Sequence, residues 1–332
     1  MPRLRRVSPR SRGWTRRRVG RGFTYLDHDG LRLDVADVER IKALAIPPAW
    51  QDVWICPFAN GHIQATGRDA AGRLQYLYHP AWRAKQDELK FSRLQVIGPR
   101  MARARQRMIA DLAQDGMPAS RAAATAGRLL DLGYFRIGSD TYADANGSFG
   151  LTTLERRHVR RDGTHLRFSF VGKSGIEHSV QISDSAVIEA LNVMRRRRGA
   201  ERLLAYRSGR SWRNLDAATV NEYLSELLDE DLTAKDFRTW HATVTAAVAL
   251  AGSAEPVETA AARRRAVKTA VEQVATYLGN TPTIARGSYI DPRVIERFEA
   301  GETIAAALRR EHRDPLKQQA RIEKAVAKLL AD

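Results

Sequence analysis

Apolar positions along the chain change their period near residue 90. Before that point the runs are short and strand-like: GFTYLD (22–27) and LRLDV (31–35) flank an Asp29-Gly30 turn and predict a hairpin. VADVERIKAL (35–44) has helical spacing and is stopped by Pro47-Pro48. VWICPF (53–58) with GHIQATGRD (61–69), then GRLQYLYHP (72–80), read as further strands joined through Asp69-Ala70-Ala71-Gly72. AWRAKQDELKFSRL then predicts a helix leaving this region. After residue 90 the spacing is mostly helical: PRMARARQRMIADLAQ, ASRAAATAGRLLDLG, DSAVIEALNVMRRRRG, DAATVNEYLSELL from an Asp216 cap, TAKDFRTWHATVTAAVALAG to Gly252, and a long helix from Pro256 to about Leu278. A β insert interrupts them. Leu166, Phe168 and Phe170 alternate with polar neighbours, and Ile176, His178, Val180 and Ile182 share a face. Their connector, Gly172-Lys173-Ser174-Gly175, places Lys173 at a hairpin turn. Asp291-Pro292 signals a helix start, so Tyr289 falls just ahead of a helix.

This pattern predicts an α+β chain: residues 22–90 a small β-rich domain, residues 91–332 a helical domain. Residues 1–21, with nine arginines and no acid, read as a basic, flexible arm. They lack an apolar h-region, which excludes a secretory signal. Lys plus Arg number 55 against 38 Asp plus Glu, a formal charge of +17, which favours a polyanionic partner through phosphate neutralisation and counterion release. No stretch of about 18 apolar residues offers a membrane span. Cys56 is the only cysteine, so no intrachain disulfide can form; its setting reads as a buried small residue. The eight histidines show no metal-ligand spacing.

Tyr289, in LGNTPTIARGSYIDPRV (278–294), is the residue most suited to covalent chemistry. Breaking a phosphodiester without metal takes a nucleophile, cations on the non-bridging oxygens, an acid for the leaving alkoxide and in-line alignment. A phenol can attack phosphorus and leave again. Arginine forks suit the oxygens, and a lysine beside arginines suits the acid role. Arg136 in YFRIG, Lys173 in FVGKSG and Arg238 in KDFRTW supply these types.

The segments YFRIGSDTYADANGSFGLTTL (134–154), FVGKSG (170–175), KDFRTW (235–240) and GNTPTIARGSYI (279–290), with IQATGRDAAGRLQYLYHP (63–80), resemble the type IB DNA topoisomerases of the poxvirus and bacterial branch. The resemblance covers nearly the whole chain after the arm. It implies a two-domain clamp on duplex DNA whose helical catalytic domain is shared with tyrosine recombinases. It implies Tyr289 as nucleophile, Arg136 and Arg238 on the scissile phosphate, and Lys173 as general acid to the 5′ oxygen. Cleavage would leave a 3′-phosphotyrosyl enzyme, and swivelling before religation would relax supercoils. Where the viral pattern has a histidine, this chain has Asn280. An amide can donate to a non-bridging oxygen but cannot transfer a proton, so Asn280 is expected to stabilise the transition state only. Asparagine points to the bacterial branch. The same resemblance places Arg68, Gln75, Tyr76, Tyr78 and Tyr142 on DNA, with Gln75 at a base edge and arginine and tyrosine groups at phosphates.

Other readings compete. Gly172-Lys173-Ser174 is no Walker A loop, because Arg167 stands where its first glycine belongs. His241 reads as a packing residue, and the runs Arg195–Arg198 and Arg263–Arg265 as solvated helix ends. A tyrosine recombinase would need synapsis and paired sites, and the 63–80 module argues against it. A non-catalytic DNA-binding protein would make all five catalytic-type residues incidental. The expectation is therefore a monomeric, cytoplasmic, nucleoid-associated enzyme acting on double-stranded DNA with no nucleotide, metal or other cofactor and no membrane association.

Overall fold

The computed structural model describes residues 3–132, 135–138, 147–199, 201–252 and 259–331. The chain divides into two compact units, residues 1–90 and 91–332.

In the first unit, β1 (Trp14–Val19), β2 (Gly22–Leu26), β3 (Gln51–Ile55), β4 (Ile63–Arg68) and β5 (Leu74–Tyr78) form an antiparallel sheet in the order β2-β1-β3-β4-β5, with helix α1 (Val35–Ala43) between β2 and β3 in sequence. Ile41 of α1 packs with Ile46, Val53, Ile55 and Ala65, and Trp14, Tyr25 and Leu77 close that cluster. Asp34 caps α1, accepting from the Asp37 N–H at 2.8 Å.

The basic N-terminal segment is not the flexible arm its composition suggests. β2 pairs along its length with β1, from Thr15 opposite Leu26 to Val19 opposite Gly22. The expected 26–32 hairpin is reduced to a single bridge between Leu26 and Arg32. One face of β1 is held in the fold despite its charge. Trp14 joins the core, and the Arg16 guanidinium donates to the carbonyls of Ile46 (3.2 Å), Pro47 (3.0 Å) and Trp50 (2.6 Å). Burial pulls the Arg16 pKa down, and its guanidinium also lies over the Phe23 ring. Arg17 and Arg18 remain exposed.

The boundary between the units falls inside α2 (Pro80–Leu112). There follow α3 (Ala119–Asp131), strands β6 (Val159–Asp162), β7 (His165–Val171) and β8 (Glu177–Ile182), and α4 (Ser185–Arg195). After the β9–β10 hairpin (Ala205–Ser208, Ser211–Asn214) come α5 (Ala217–Leu228), α6 (Ala234–Ala251), α7 (Ala260–Leu278), α8 (Pro282–Ser288), α9 (Pro292–Glu299), α10 (Ala305–Leu308) and α11 (Pro315–Ala331). β6, β7 and β8 form an antiparallel sheet whose inward residues, Leu166, Phe168, Phe170, Val180 and Ile182, join the helical core. α6 is central to that core, with Phe237 and Trp240 fully buried.

Helix α6 is tied to its neighbours by a buried ionic network. Arg105 of α2 donates to both Asp131 oxygens at 2.7 Å and to Glu323 of α11 at 3.0 and 3.1 Å. Arg128 also bonds Asp131 and reaches Asp184, the cap of α4, at 2.9 Å. His241 Nε2 lies 3.3 Å from Asp131, in the packing position expected of it. Asp131, His241 and Glu323 are close enough to hold a cation, but the Arg105 guanidinium already provides the positive charge between the two carboxylates. Burial opposes ionisation of Asp131, yet its bonds to Arg105, with His241 adding to them, hold the carboxyl far below the usual range. A folded pKa below the unfolded one means that ionised Asp131 stabilises the fold above about pH 4, a contribution lost as the pH falls. Asp131→Ala leaves part of Arg105's charge buried without a partner. It should destabilise the protein by about 3 kcal/mol, read as the shift of a urea unfolding midpoint at pH 7. The gap from wild type should narrow in acid.

Candidate active site

Four of the sequence-predicted residues converge where α7 ends. α7 stops at Gly279, whose φ of +59° is the left-handed turn that glycine favours. The Asn280 N–H closes the turn on the Ala275 carbonyl at 2.9 Å. The last carbonyls of a helix attract cations. Two arginines meet them: Arg238 bonds the Leu278 carbonyl, and Arg136 lies 3.5 Å from the Gly279 carbonyl and bonds Asn280 Oδ1.

Each arginine is placed by hydrophobic neighbours. Arg136 follows Phe135, which is buried against Phe168 and Phe170 at ring distances of 5.1 and 5.9 Å. Its backbone is pinned by the Leu151 N–H donating to the Arg136 carbonyl at 2.7 Å. The chain passes so close there that a Cβ at Gly150 would sit 2.4 Å from Gly138. Arg238 is carried by α6 between Phe237 and Thr239 and is only 5% exposed. Burial, reinforced by the charge of Arg136, pulls its pKa down to about 10, so it remains cationic at neutral pH.

Tyr289 caps the end of α8, a short helix begun by Thr281 and Pro282. Its half-buried ring lies 5.4 Å from the Arg238 guanidinium carbon. Thr243, on the same helix as Arg238, donates its hydroxyl to the Tyr289 carbonyl at 3.3 Å and accepts from the Asp291 N–H at 3.1 Å. Asp291 caps α9, as expected, and pairs with Arg293, which also bonds the carbonyls of Leu330 and Phe91. The tyrosine's backbone is thus fastened to the arginine's helix. The sequence marked Asp291 only as a helix start and did not single out Thr243, whose two bonds join segments far apart along the chain.

Lys173 opens a 3₁₀ turn, Lys173–Gly175, between β7 and β8, and is exposed. Two donors in the cluster have no partner among the described residues although both are buried: Arg238 Nε and Asn280 Nδ2. An orphaned buried donor costs about 1–3 kcal/mol, and a bound anion would satisfy both. The Asn280 carbonyl oxygen is taken by Arg136, which leaves the amide nitrogen as the free end.

In the first unit, Tyr76 and Tyr78 stack at 5.8 Å on the exposed face of β5, the edge strand. Gln75 is on the opposite, half-buried face, and its amide donates to Asp69 at 2.9 Å. Arg68 is exposed, bonding the Gly72 carbonyl at 2.8 Å. Tyr142 lies outside the described residues. Elsewhere, Arg197 departs from the solvated run expected of 195–198. It is buried and donates to the carbonyls of Met194 (3.0 Å) and Leu203 (2.8 Å).

Two arginines and an amide beside a tyrosine form a cationic cluster on a helical unit with a β insert. The catalytic core of eukaryotic DNA topoisomerase I matches residues 79–314 as a sequence family, and the N-terminal domain of bacterial DNA topoisomerase IB matches residues 22–69. DNA topoisomerase 1B of Acanthamoeba polyphaga mimivirus is 27% identical over 297 residues, covering 86% of this chain and 88% of that protein. DNA topoisomerase 1 of Rabbit fibroma virus (strain Kasza) is 23% identical over 170 residues, 51% of each. The chain belongs to the type IB DNA topoisomerases. It is a DNA-relaxing isomerase, and its N-terminal domain is of the bacterial kind.

Proposed function

We propose that Tyr289 is the nucleophile of this topoisomerase and that Arg136, Arg238 and Asn280 bind the scissile phosphate. The phenolic oxygen attacks phosphorus, the bond from phosphorus to the 5′ oxygen breaks, and the phenol proton passes to solvent. Lys173 gives a proton to the departing 5′ oxygen. The strand then carries a 3′-phosphotyrosyl link on one side and a free 5′-hydroxyl on the other. Rotation about the intact strand releases supercoils, and attack by the 5′-hydroxyl reverses the chemistry. The ester conserves the bond energy, so neither ATP nor a metal ion is required.

The observation that carries this reading is the pair of orphaned buried donors, Arg238 Nε and Asn280 Nδ2, in the cluster that holds Arg136 and Tyr289. A phosphate supplies the missing acceptors. In the DNA-free protein the arginines rest on the carbonyls that end α7, and a phosphate with two charged oxygens is the stronger acceptor. Lys173 is exposed, so its shielding from water would come from the DNA itself. On the first unit, the edge strand offers Tyr76, Tyr78 and Arg68 to backbone phosphates. Gln75 could turn to a base edge only by leaving Asp69.

The enzyme is read as a monomer acting on bacterial chromosomal DNA in the cytoplasm. The N-terminal domain of the bacterial kind supports the bacterial part of this reading. The test is relaxation of supercoiled plasmid with EDTA present and nucleotide absent, followed by detergent quenching. Relaxed product and a protein-linked 3′ end are expected; supercoiled plasmid with no linked protein would remove the proposal. Asn280→Ala should slow cleavage on the order of 10²-fold, the usual cost of one oxyanion donor. Single-turnover cleavage measures it, and an unchanged rate would make Asn280 structural.

A further inference from the structure

The imidazole of His178 sits where the lysine hairpin meets the phosphate cluster. A Cβ added at Gly172 would lie 2.6 Å from its Cδ2, and one added at Gly279 would lie 2.5 Å from its Cε1. The ring therefore fills the gap between the residue before Lys173 and the residue before Asn280, and each side chain there is reduced to a hydrogen to admit it. One ring face stacks on Phe170 at 5.0 Å and 18°. Phe170 in turn stacks on Phe135, which precedes Arg136. The contacts close a circuit from Arg136 through Phe135, Phe170 and His178 to Gly172 and Lys173, and from His178 through Gly279 and Asn280 back to Arg136.

Beyond the histidine, one backbone bond ties the hairpin to another segment: the Phe149 N–H donates to the Val171 carbonyl at 2.8 Å. The Gly172 N–H donates to the Ile176 carbonyl at 2.7 Å and the Gly175 N–H to the Gly172 carbonyl at 3.2 Å. These bonds shape the turn internally without attaching it to another element. Val171, Lys173, Gly175, Ile176 and Glu177 are all exposed. Burial, with the nearby charges of Arg136 and Arg238, lowers the His178 pKa and so favours the neutral ring. A neutral aromatic wedge suits a place near two arginines, where a cation would be repelled.

We propose that His178 is a positioning residue that docks the Lys173 turn on the Gly279–Asn280 corner. Lysine is thereby held against the phosphate that Arg136, Arg238 and Asn280 bind. The inference rests on the reading of Lys173 as general acid. It adds that His178 acts only through that lysine and touches neither phosphate nor leaving oxygen.

The test compares single-turnover cleavage of a duplex carrying an ordinary scissile phosphodiester with one carrying a 5′-bridging phosphorothiolate. A thiolate leaves without a proton, so loss of a correctly placed acid matters only for the oxygen substrate. His178→Ala should cut cleavage of the ordinary substrate by about 10–100-fold, the scale of a small misplacement of a catalytic group. It should cleave the phosphorothiolate within about threefold of wild type. Gly172→Ala, which keeps the imidazole but forces it from its seat, should behave the same way. It decides the matter if His178→Ala does not fold. His178→Phe retains the stack on Phe170 and should be milder than His178→Ala. Equal losses on both substrates would mean that His178 serves the phosphate cluster or the fold, and an unchanged rate on the ordinary substrate would mean it positions nothing. Either result overturns the inference. Lys173→Ala, run alongside, separates the two levels. If sulfur fails to rescue it, the acid assignment falls; if sulfur rescues it but not His178→Ala, only the positioning role falls.

Discussion

Tyr289→Phe should bind duplex DNA as wild type does and form no covalent adduct. The change removes one oxygen from a ring whose place is set by other groups. Thr243 holds the residue's carbonyl, the next residue, Ile290, is buried, and the ring packs against the helical core. The phenol interacts with the Arg238 guanidinium, which keeps its bond to the Leu278 carbonyl in the variant, so stability should change by no more than about 1 kcal/mol. On the proposed roles, affinity for DNA comes from basic groups that the substitution leaves in place, so the salt dependence of binding should match wild type. Relaxation should fall below detection, because water in the vacated space lacks the tether and alignment that make the attack unimolecular. Supercoiled plasmid and a denaturing gel of labelled strand read both quantities. An adduct trapped by Tyr289→Phe would move the nucleophile to another residue.

The placement of the candidate residues was legible from the sequence to the extent that it resides in local spacing. Alternation at 166–170 and 176–182 put Lys173 at the tip of a hairpin, and Asp216 and Asp291 marked helix starts that the structure shows. What spacing could not supply was contact between distant segments. His178 was visible only as one of four residues on a strand face; its seat against Gly279 joins positions about a hundred residues apart. AWRAKQDELKFSRL (81–94) and PRMARARQRMIADLAQ (99–114) read as separate helical stretches, yet α2 runs unbroken through Gly98 and Pro99. A proline inside a helix costs about 3 kcal/mol. Leu94, Ile97, Met101 and Met108, all fully buried, oppose that cost. The glycine serves packing, since a Cβ there would stand 2.5 Å from Trp240. The N-terminal arginines misled for the opposite reason. Charge hid an alternation in which Trp14 and Arg16 face inward, because carbonyls at 46, 47 and 50 satisfy a half-buried guanidinium that a composition argument assigns to water.

Lys173→Ala should reduce cleavage by about 10³-fold, within the range for loss of a general acid, while leaving DNA binding and protein stability close to wild type. The side chain is exposed and sits outside the hydrophobic cluster, so removing it disturbs no packing. On the proposed roles, the variant keeps the arginines and Asn280 for the phosphate and Tyr289 for the attack. What is lost is the proton for an alkoxide that otherwise departs poorly. Religation should slow by a comparable factor, because the same lysine, then neutral, takes the proton from the attacking 5′-hydroxyl. The level of adduct at equilibrium should therefore change much less than either rate. A defect confined to cleavage would instead mark Lys173 as a ligand of the uncleaved phosphate. Phosphorothiolate cleavage by Lys173→Ala should recover to within about tenfold of wild type, since a thiolate leaves unprotonated. Arg238→Ala should gain nothing from the sulfur, because its guanidinium belongs to the non-bridging oxygens, whose charge develops whatever atom departs.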